Sequence, residues 1–166
     1  IELCPDLTVL VRAPPWAGEA EIARLVEKHA GWIEKRREQM RAERASTPPP
    51  ATESEIRALK EAANATLPGL IARYEAAMGV KSTRLTVTRA RTRHGSCSGR
   101  NALSFSCYLM RYPADLIEYV VVHELAHIRH KNHGPAFYAF VASILPDYEA
   151  RQARIRALDK QGFMRG

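Results

Sequence analysis

The chain has 166 residues, 46% of them hydrophobic and 26% charged, the balance of a folded globular protein rather than of a disordered one. No stretch approaches the roughly 20 consecutive apolar residues of a membrane-spanning helix, so no membrane partner is expected. Three cysteines, Cys4, Cys97 and Cys107, with no Cys-x-x-Cys pair, exclude a disulfide framework, a zinc ribbon and a thioredoxin-like site, and free thiols suit a reducing, cytoplasmic setting.

The net charge of +7 is concentrated. Between Glu75 and Asp115 there is no acidic residue, while Lys81, Arg84, Arg89, Arg91, Arg93, Arg100 and Arg111 fall in that stretch. A basic segment from Lys81 to Arg111 can attract nucleic acid, or its arginines can simply solvate exposed strands and turns.

Leu7 to Arg12 reads as a strand by its β-branched content, ended by Ala13-Pro14-Pro15. It is expected to belong to a hairpin or sheet that starts upstream, with the true N-terminus missing; no signal-peptide pattern precedes it. Ile22, Leu25, Val26, His29, Trp32, Ile33 and Met40 give a stripe of period 3.6, which predicts one long helix over about Gly18 to Glu43. Residues 1–45 thus form an N-terminal strand-and-helix portion. A stiff linker, residues 46–51 with Pro48-Pro49-Pro50, follows, and residues 52–166 are the expected catalytic domain.

Thr52 with Glu55 three residues later fits a capping box. The helix it opens should run to about Met78, kinked or interrupted at Pro68 and ended by Gly79. Arg84 to Ala90 and Ala102 to Leu109 alternate as strands. The turn-rich segment Gly95 to Asn101 between them suggests a hairpin or meander. Pro113 opens a helix over Ala114 to about Lys131, Asn132-His133-Gly134 stops it, Pro135 starts another to near Leu145, and Pro146 starts a last one to about Leu158. There is no internal repeat.

The chemistry lies in Val122-His123-Glu124-Leu125-Ala126-His127, an H-E-x-x-H motif on a helix. Residues four apart differ by about 40° around a helix, so His123 and His127 project together and can each give a nitrogen to one Zn²⁺. Glu124 sits to one side, where its carboxylate can take a proton from water that the metal acidifies. A catalytic zinc needs a third protein ligand and an open position. His133, at the turn where Gly134 lets the chain reverse, is the first candidate. Glu149, on a following helix, is the second. His130 is better placed as a supporting or solvent-facing residue. The longer pattern H-E-x-x-H-x-x-G-x-x-H is only partly matched, because His130 stands where glycine belongs and Met164 is nearly terminal.

Further residues sharpen this. Arg93-His94-Gly95-Ser96-Cys97-Ser98, Leu103 to Leu109, Pro113, Tyr119 to His127 and Asn132-His133-Gly134-Pro135-Ala136-Phe137-Tyr138 together resemble the YgjP-like metallopeptidase domain family, whose relatives include the SprT and WLM proteases and the archaeal minigluzincins. Val11 to Pro14 and His29 to Lys35 also look like that family. His94 departs from it, since tryptophan usually precedes Gly-Ser-Cys there. The resemblance implies an α+β, zincin-like metallopeptidase domain: a small β-sheet with an active-site helix and flanking helices. It implies zinc on His123, His127 and His133, Glu124 as general base, and a protein or peptide substrate.

In such enzymes a sheet edge runs along the cleft, and an extended substrate adds to it as a strand. Ser104, Phe105 and Ser106 are the expected substrate-binding residues on that ground. Tyr108, Tyr138, Tyr148 and His94 are candidates for stabilising the oxyanion, and Cys97 and Cys107 read as small buried residues. The expected activity is zinc-dependent peptide-bond hydrolysis. The alternatives are a nucleic-acid-associated protein built around the basic segment and a non-catalytic metal-binding domain.

Overall fold

The computed structural model describes residues 1–4, 6–46 and 51–164, so the triproline of the expected linker lies outside the described residues. The chain divides into two compact units, Ile1–Thr47 and Pro48–Gly166.

In the first unit, β1 (Glu2–Leu3) pairs antiparallel with β2 (Val9–Leu10). The strand expected over Leu7 to Arg12 is therefore shorter, and its partner is β1. Leu7 takes a left-handed φ of 71° in the connecting turn, where Asp6 Oδ1 accepts from the Thr8 amide at 3.0 Å. Two helices follow, α1 (Glu19–Lys28) and α2 (Ala30–Ser46), in place of the single long helix expected. The break falls at His29, with φ −102° and ψ 8°, two residues ahead of Gly31, where helix costs more backbone entropy. The apolar stripe is mostly not buried: Ile33 is, while Leu25 and Trp32 are exposed.

In the second unit, α3 (Glu53–Met78) starts at the capping box. The Thr52 hydroxyl accepts from the Glu55 amide at 3.3 Å, and Glu55 Oε2 accepts from the Thr52 amide at 2.9 Å. Pro68 does not interrupt the helix, and Gly79 ends it at φ 60°, a conformation that favours glycine. Next come β3 (Arg84–Thr88), β4 (Gly95–Cys97) and β5 (Ala102–Ser106), in the order β3-β5-β4.

The two long strands do not form a hairpin with one another. β3 and β5 are parallel, with Val87 opposite Phe105, and the hairpin joins β4 to β5, with Gly95 opposite Phe105. Its turn is closed by the Ser98 amide on the Ala102 carbonyl at 2.9 Å, and Asn101 takes φ 61°. Residues 95–97, read as turn, are thus a strand. A parallel pair needs a crossover of about a dozen residues, and β4 lies within it.

β5 stops at Ser106, short of the expected Leu109, because the Ser106 hydroxyl accepts from the Tyr108 amide at 3.2 Å and caps a 3₁₀ turn over Cys107–Arg111. Three helices complete the unit: α4 (Ala114–Arg129), α5 (Pro135–Ile144) and α6 (Tyr148–Lys160).

The core sits where α3, β5 and the 3₁₀ turn pack on α4. Leu67, Leu103, Phe105, Leu109, Leu116, Val121, Val122 and Leu125 are fully or almost fully buried there. Glu118 on α4 accepts from Arg73 of α3 at 2.5 Å and from Arg151 of α6 at 3.1 Å, which ties three helices at one carboxylate. The architecture is α+β, a small sheet with helices around a central α4. Among the described residues no helix is long and apolar enough to cross a membrane.

Candidate metal centre

α4 presents His123 and His127 one turn apart on the side away from Val121 and Leu125. It ends at Arg129, and His130 leaves the helix in an extended conformation, φ −127° and ψ 100°. The Gly134 amide bonds the Asn132 carbonyl at 2.9 Å, and Pro135 opens α5. This tight reversal brings His133 back over the helix.

One ligand atom from each of His123, His127 and His133 lies within 4.8 Å of the others, and His133 Nε2 is 3.0 Å from His123 Nε2. His127 Nδ1 lies 3.1 Å from the His130 carbonyl. A carbonyl can only accept, so Nδ1 carries the proton and Nε2 keeps its lone pair. Phe137, fully buried, packs against all three imidazoles at centroid distances of 4.9, 4.6 and 4.8 Å.

Burial pushes the His123 imidazole down to about 3, and the charges of His127 and His133 add to the effect. His127 is lowered too, chiefly by burial. Both rings are therefore neutral near pH 7, the form in which imidazole binds a metal.

Glu124 lies beside this cluster, 7% exposed, and among the described residues no group hydrogen-bonds or ion-pairs with its carboxylate. Burial pushes that carboxyl up to about 7. The fit against β4 is close: a Cβ on Gly95 would stand 2.8 Å from Glu124 Cγ and 3.0 Å from Phe105 Cδ1, so only glycine lets α4 and β4 approach this closely. A buried carboxylate without a partner is costly. Three convergent imidazole nitrogens with that carboxylate beside them fit a divalent cation.

Two cavities meet here. One, about 440 Å³, is lined by β4 (Gly95, Ser96, Cys97) together with His123, Glu124, His127, Lys131 and His133. The other, about 350 Å³, shares Gly95, His123 and Glu124 and extends toward α6.

The structure separates the expected site residues. His123, His127, His133 and Glu124 come together. Glu149 is not in the histidine group; it accepts from the Tyr148 hydroxyl at 3.2 Å. His130 contributes its carbonyl to His127 and rests its ring on Phe140. The expectation for Ser104, Phe105 and Ser106 requires correction. They lie on β5, the central strand, whose main chain is bonded to neighbours on both sides, and Phe105 and Ser106 are buried. The strand edge that lines the cavity is that of β4.

Tyr108 is fully buried, with its hydroxyl unpartnered. Tyr138 stacks on Tyr148 and lies 6.1 Å from the His133 ring. His94 is held by Asp159 at 2.9 Å, and the Tyr112 hydroxyl bonds the same carboxylate oxygen. Cys97 and Cys107 are free thiols, both raised by burial.

Within the basic segment, Lys81 binds Glu75 at 2.6 Å, Arg89 makes two 2.9 Å bonds to Glu53, and Arg111 lies over the Tyr108 ring. These cations are committed to partners in the chain. Tyr119, whose ring lies 5.8 Å from that of His123, and Phe137 belong to the site, and the sequence reading singles out neither. The signal for Phe137 was its place one turn into the helix that Pro135 opens.

The model of the YgjP-like metallopeptidase domain matches residues 51–158. Among solved structures, the metallopeptidase zymogen of Pyrococcus abyssi abylysin aligns with a TM-score of 0.51 at 15% identity, covering 55% of this chain and 93% of that one. The zymogen of Methanocaldococcus jannaschii jannalysin aligns with a TM-score of 0.49 at 18% identity, over 56% of this chain and 94% of that one. No curated protein matches the chain. The abylysin likeness shows a zincin-like metallopeptidase fold, and, with a family match over most of its length, the chain belongs to the YgjP-like metallopeptidase domain family.

Proposed function

We propose that His123, His127 and His133 hold one zinc ion and that Glu124 is the general base of peptide-bond hydrolysis, within a catalytic unit spanning residues 52–166. The observation that carries this is the convergence of three imidazole nitrogens within 4.8 Å beside a buried carboxylate. An all-nitrogen set of imidazoles suits zinc, and three protein ligands leave the fourth position open. When bound, zinc supplies Lewis acidity to the attacking water and to the scissile carbonyl.

The chain's own groups do the rest. The His130 carbonyl holds His127 in the tautomer that directs Nε2 to the metal. Phe137 keeps one side of the cluster dry. Glu124 takes the proton of the attacking water and delivers it to the leaving amine. Its raised proton affinity places it near the working pH of such a base. The free edge of β4 offers main-chain groups to an extended peptide, which adds as a fourth strand.

A non-catalytic metal-binding domain would have no use for an unpaired buried carboxylate at this point. Protein purified without added zinc should carry one zinc per chain. Glu124→Gln should keep that zinc and lose peptide hydrolysis by about 10²–10⁴-fold. A zinc-loaded Glu124→Gln protein that still cleaves peptides would falsify the role of Glu124, and a protein that takes up no zinc would remove the metal centre.

A further inference from the structure

The cavity that shares Gly95, His123 and Glu124 with the histidine site and extends to α6 has, beyond those shared residues, no role in the chemistry described so far. Its volume of about 350 Å³ is at the small end for ligand pockets and suits one side chain or a chain terminus. Arg93, from the loop before β4, and Arg156, from α6, line it, and both are exposed. Among the described residues neither makes a hydrogen bond or an ion pair. Nearly every other charged group around it is already committed. Asp159 accepts from both His94 and the Tyr112 hydroxyl. Tyr119 is buried. Glu124 is the remaining acid. The lining therefore includes two arginines with no hydrogen-bond or ion-pair partner among the described residues, and their positive charge suits a carboxylate.

We propose that this cavity is a specificity subsite in which Arg93 and Arg156 bind a carboxylate of the peptide substrate, at a residue close to the bond being cleaved. The inference rests on the peptidase reading for the word substrate, while the carboxylate site itself does not depend on catalysis. The carboxylate has two sources, an Asp or Glu side chain or the C-terminus of the peptide, and the arms of the test separate them.

Fluorogenic octapeptides carrying Glu, Gln or Lys in turn at each of the four central positions, and the same set truncated to end there as free acid or amide, should be assayed with the zinc-loaded protein. At one position Glu, or the free acid, should exceed Gln, or the amide, by about two- to fivefold in kcat/KM, the range for exposed ion pairs. The preference should shrink in high salt. Arg93→Ala with Arg156→Ala should erase it while zinc content is retained, and Arg93→Glu with Arg156→Glu should shift it to Lys. Cleavage at equal rates whatever the charge, or a preference unchanged in the double variant, overturns the subsite and leaves the peptidase reading intact.

If no peptide is cleaved, the peptidase reading fails, and binding decides the subsite. Fluorescein-labelled Glu and free-acid peptides should bind the wild type more tightly than their Gln and amide counterparts, and the double alanine variant should not discriminate. Equal binding of all of them overturns the inference.

Discussion

The two cavities that meet at Glu124 share Gly95 and His123, yet they are built in opposite ways. On the histidine side the three imidazoles and the carboxylate come from eleven consecutive residues, His123 to His133, using one helical turn and one chain reversal, and β4 only closes the cavity. The arginine side needs a loop before β4, the middle of α4 and the last turns of α6. The first is a product of local geometry and the second of tertiary packing. On the reading proposed above, the chemistry falls where the chain is locally determined, and recognition falls on exposed residues of separate elements.

The comparison breaks most sharply at His133. His133→Ala should lower zinc affinity by about 10²–10³-fold, the share of one ligand in a site of this kind, and leave the Arg93–Arg156 cavity unaltered. Competition with a chromogenic chelator measures it. Affinity equal to wild type would remove His133 from the site.

A smaller effect is expected from the proton balance of metal-free protein. Burial raises the Glu124 carboxyl from 4.5 to about 7, so between those values the folded state holds a proton that the unfolded state does not. Stability from this group grows as pH falls from 7 to 4.5. His123 is lowered from 6.5 to about 3, so there the unfolded state holds the extra proton, and stability falls as pH drops from 6.5 toward 3. The two slopes oppose each other between 6.5 and 4.5. Glu124→Gln removes the first. The metal-free variant should exceed metal-free wild type above pH 7 by at most about 3 kcal/mol and then lose stability steadily below pH 6.5. Urea unfolding at pH 8, 6 and 5 tests this; parallel profiles for the two proteins would contradict it.

The smallest change falls on the wall the two cavities share. Gly95→Ala puts a methyl group 2.8 Å from Glu124 Cγ. It should cost about 1–3 kcal/mol of stability through overpacking and lower kcat by about tenfold through displacement of the base, with zinc content unchanged. A variant that melts and turns over like the wild type would mean that β4 and α4 separate easily.

The same contrast explains what could be read from the sequence. His123, Glu124 and His127 follow from helical spacing, and His133 from a glycine and a proline that reverse the chain, all within reach of local rules. The capping box at Thr52 and Glu55 and the stop at Gly79 are local as well. The direction of β3 relative to β5, and the place of β5 in the middle of the sheet, are not. Strand partners depend on residues far away in the chain, and Gly95-Ser96-Cys97 has the composition of a turn until β5 pairs with it. That is why the sequence points to Ser104, Phe105 and Ser106 for the strand edge beside the cavity, which in the structure is that of β4. The break at His29 was hidden by a periodicity that runs on through it.

The nearness of His123 and His133 in the chain, ten positions apart, has a thermodynamic consequence. Closing so short a loop costs little entropy even without a fold around it, so the denatured chain should keep measurable affinity for the proposed ion. A ligand that binds both states stabilises the native one only by the difference. The rise in melting temperature on adding zinc should therefore understate how tightly the folded enzyme holds it, and the deficit should vanish when chelator competition is measured on native protein alone.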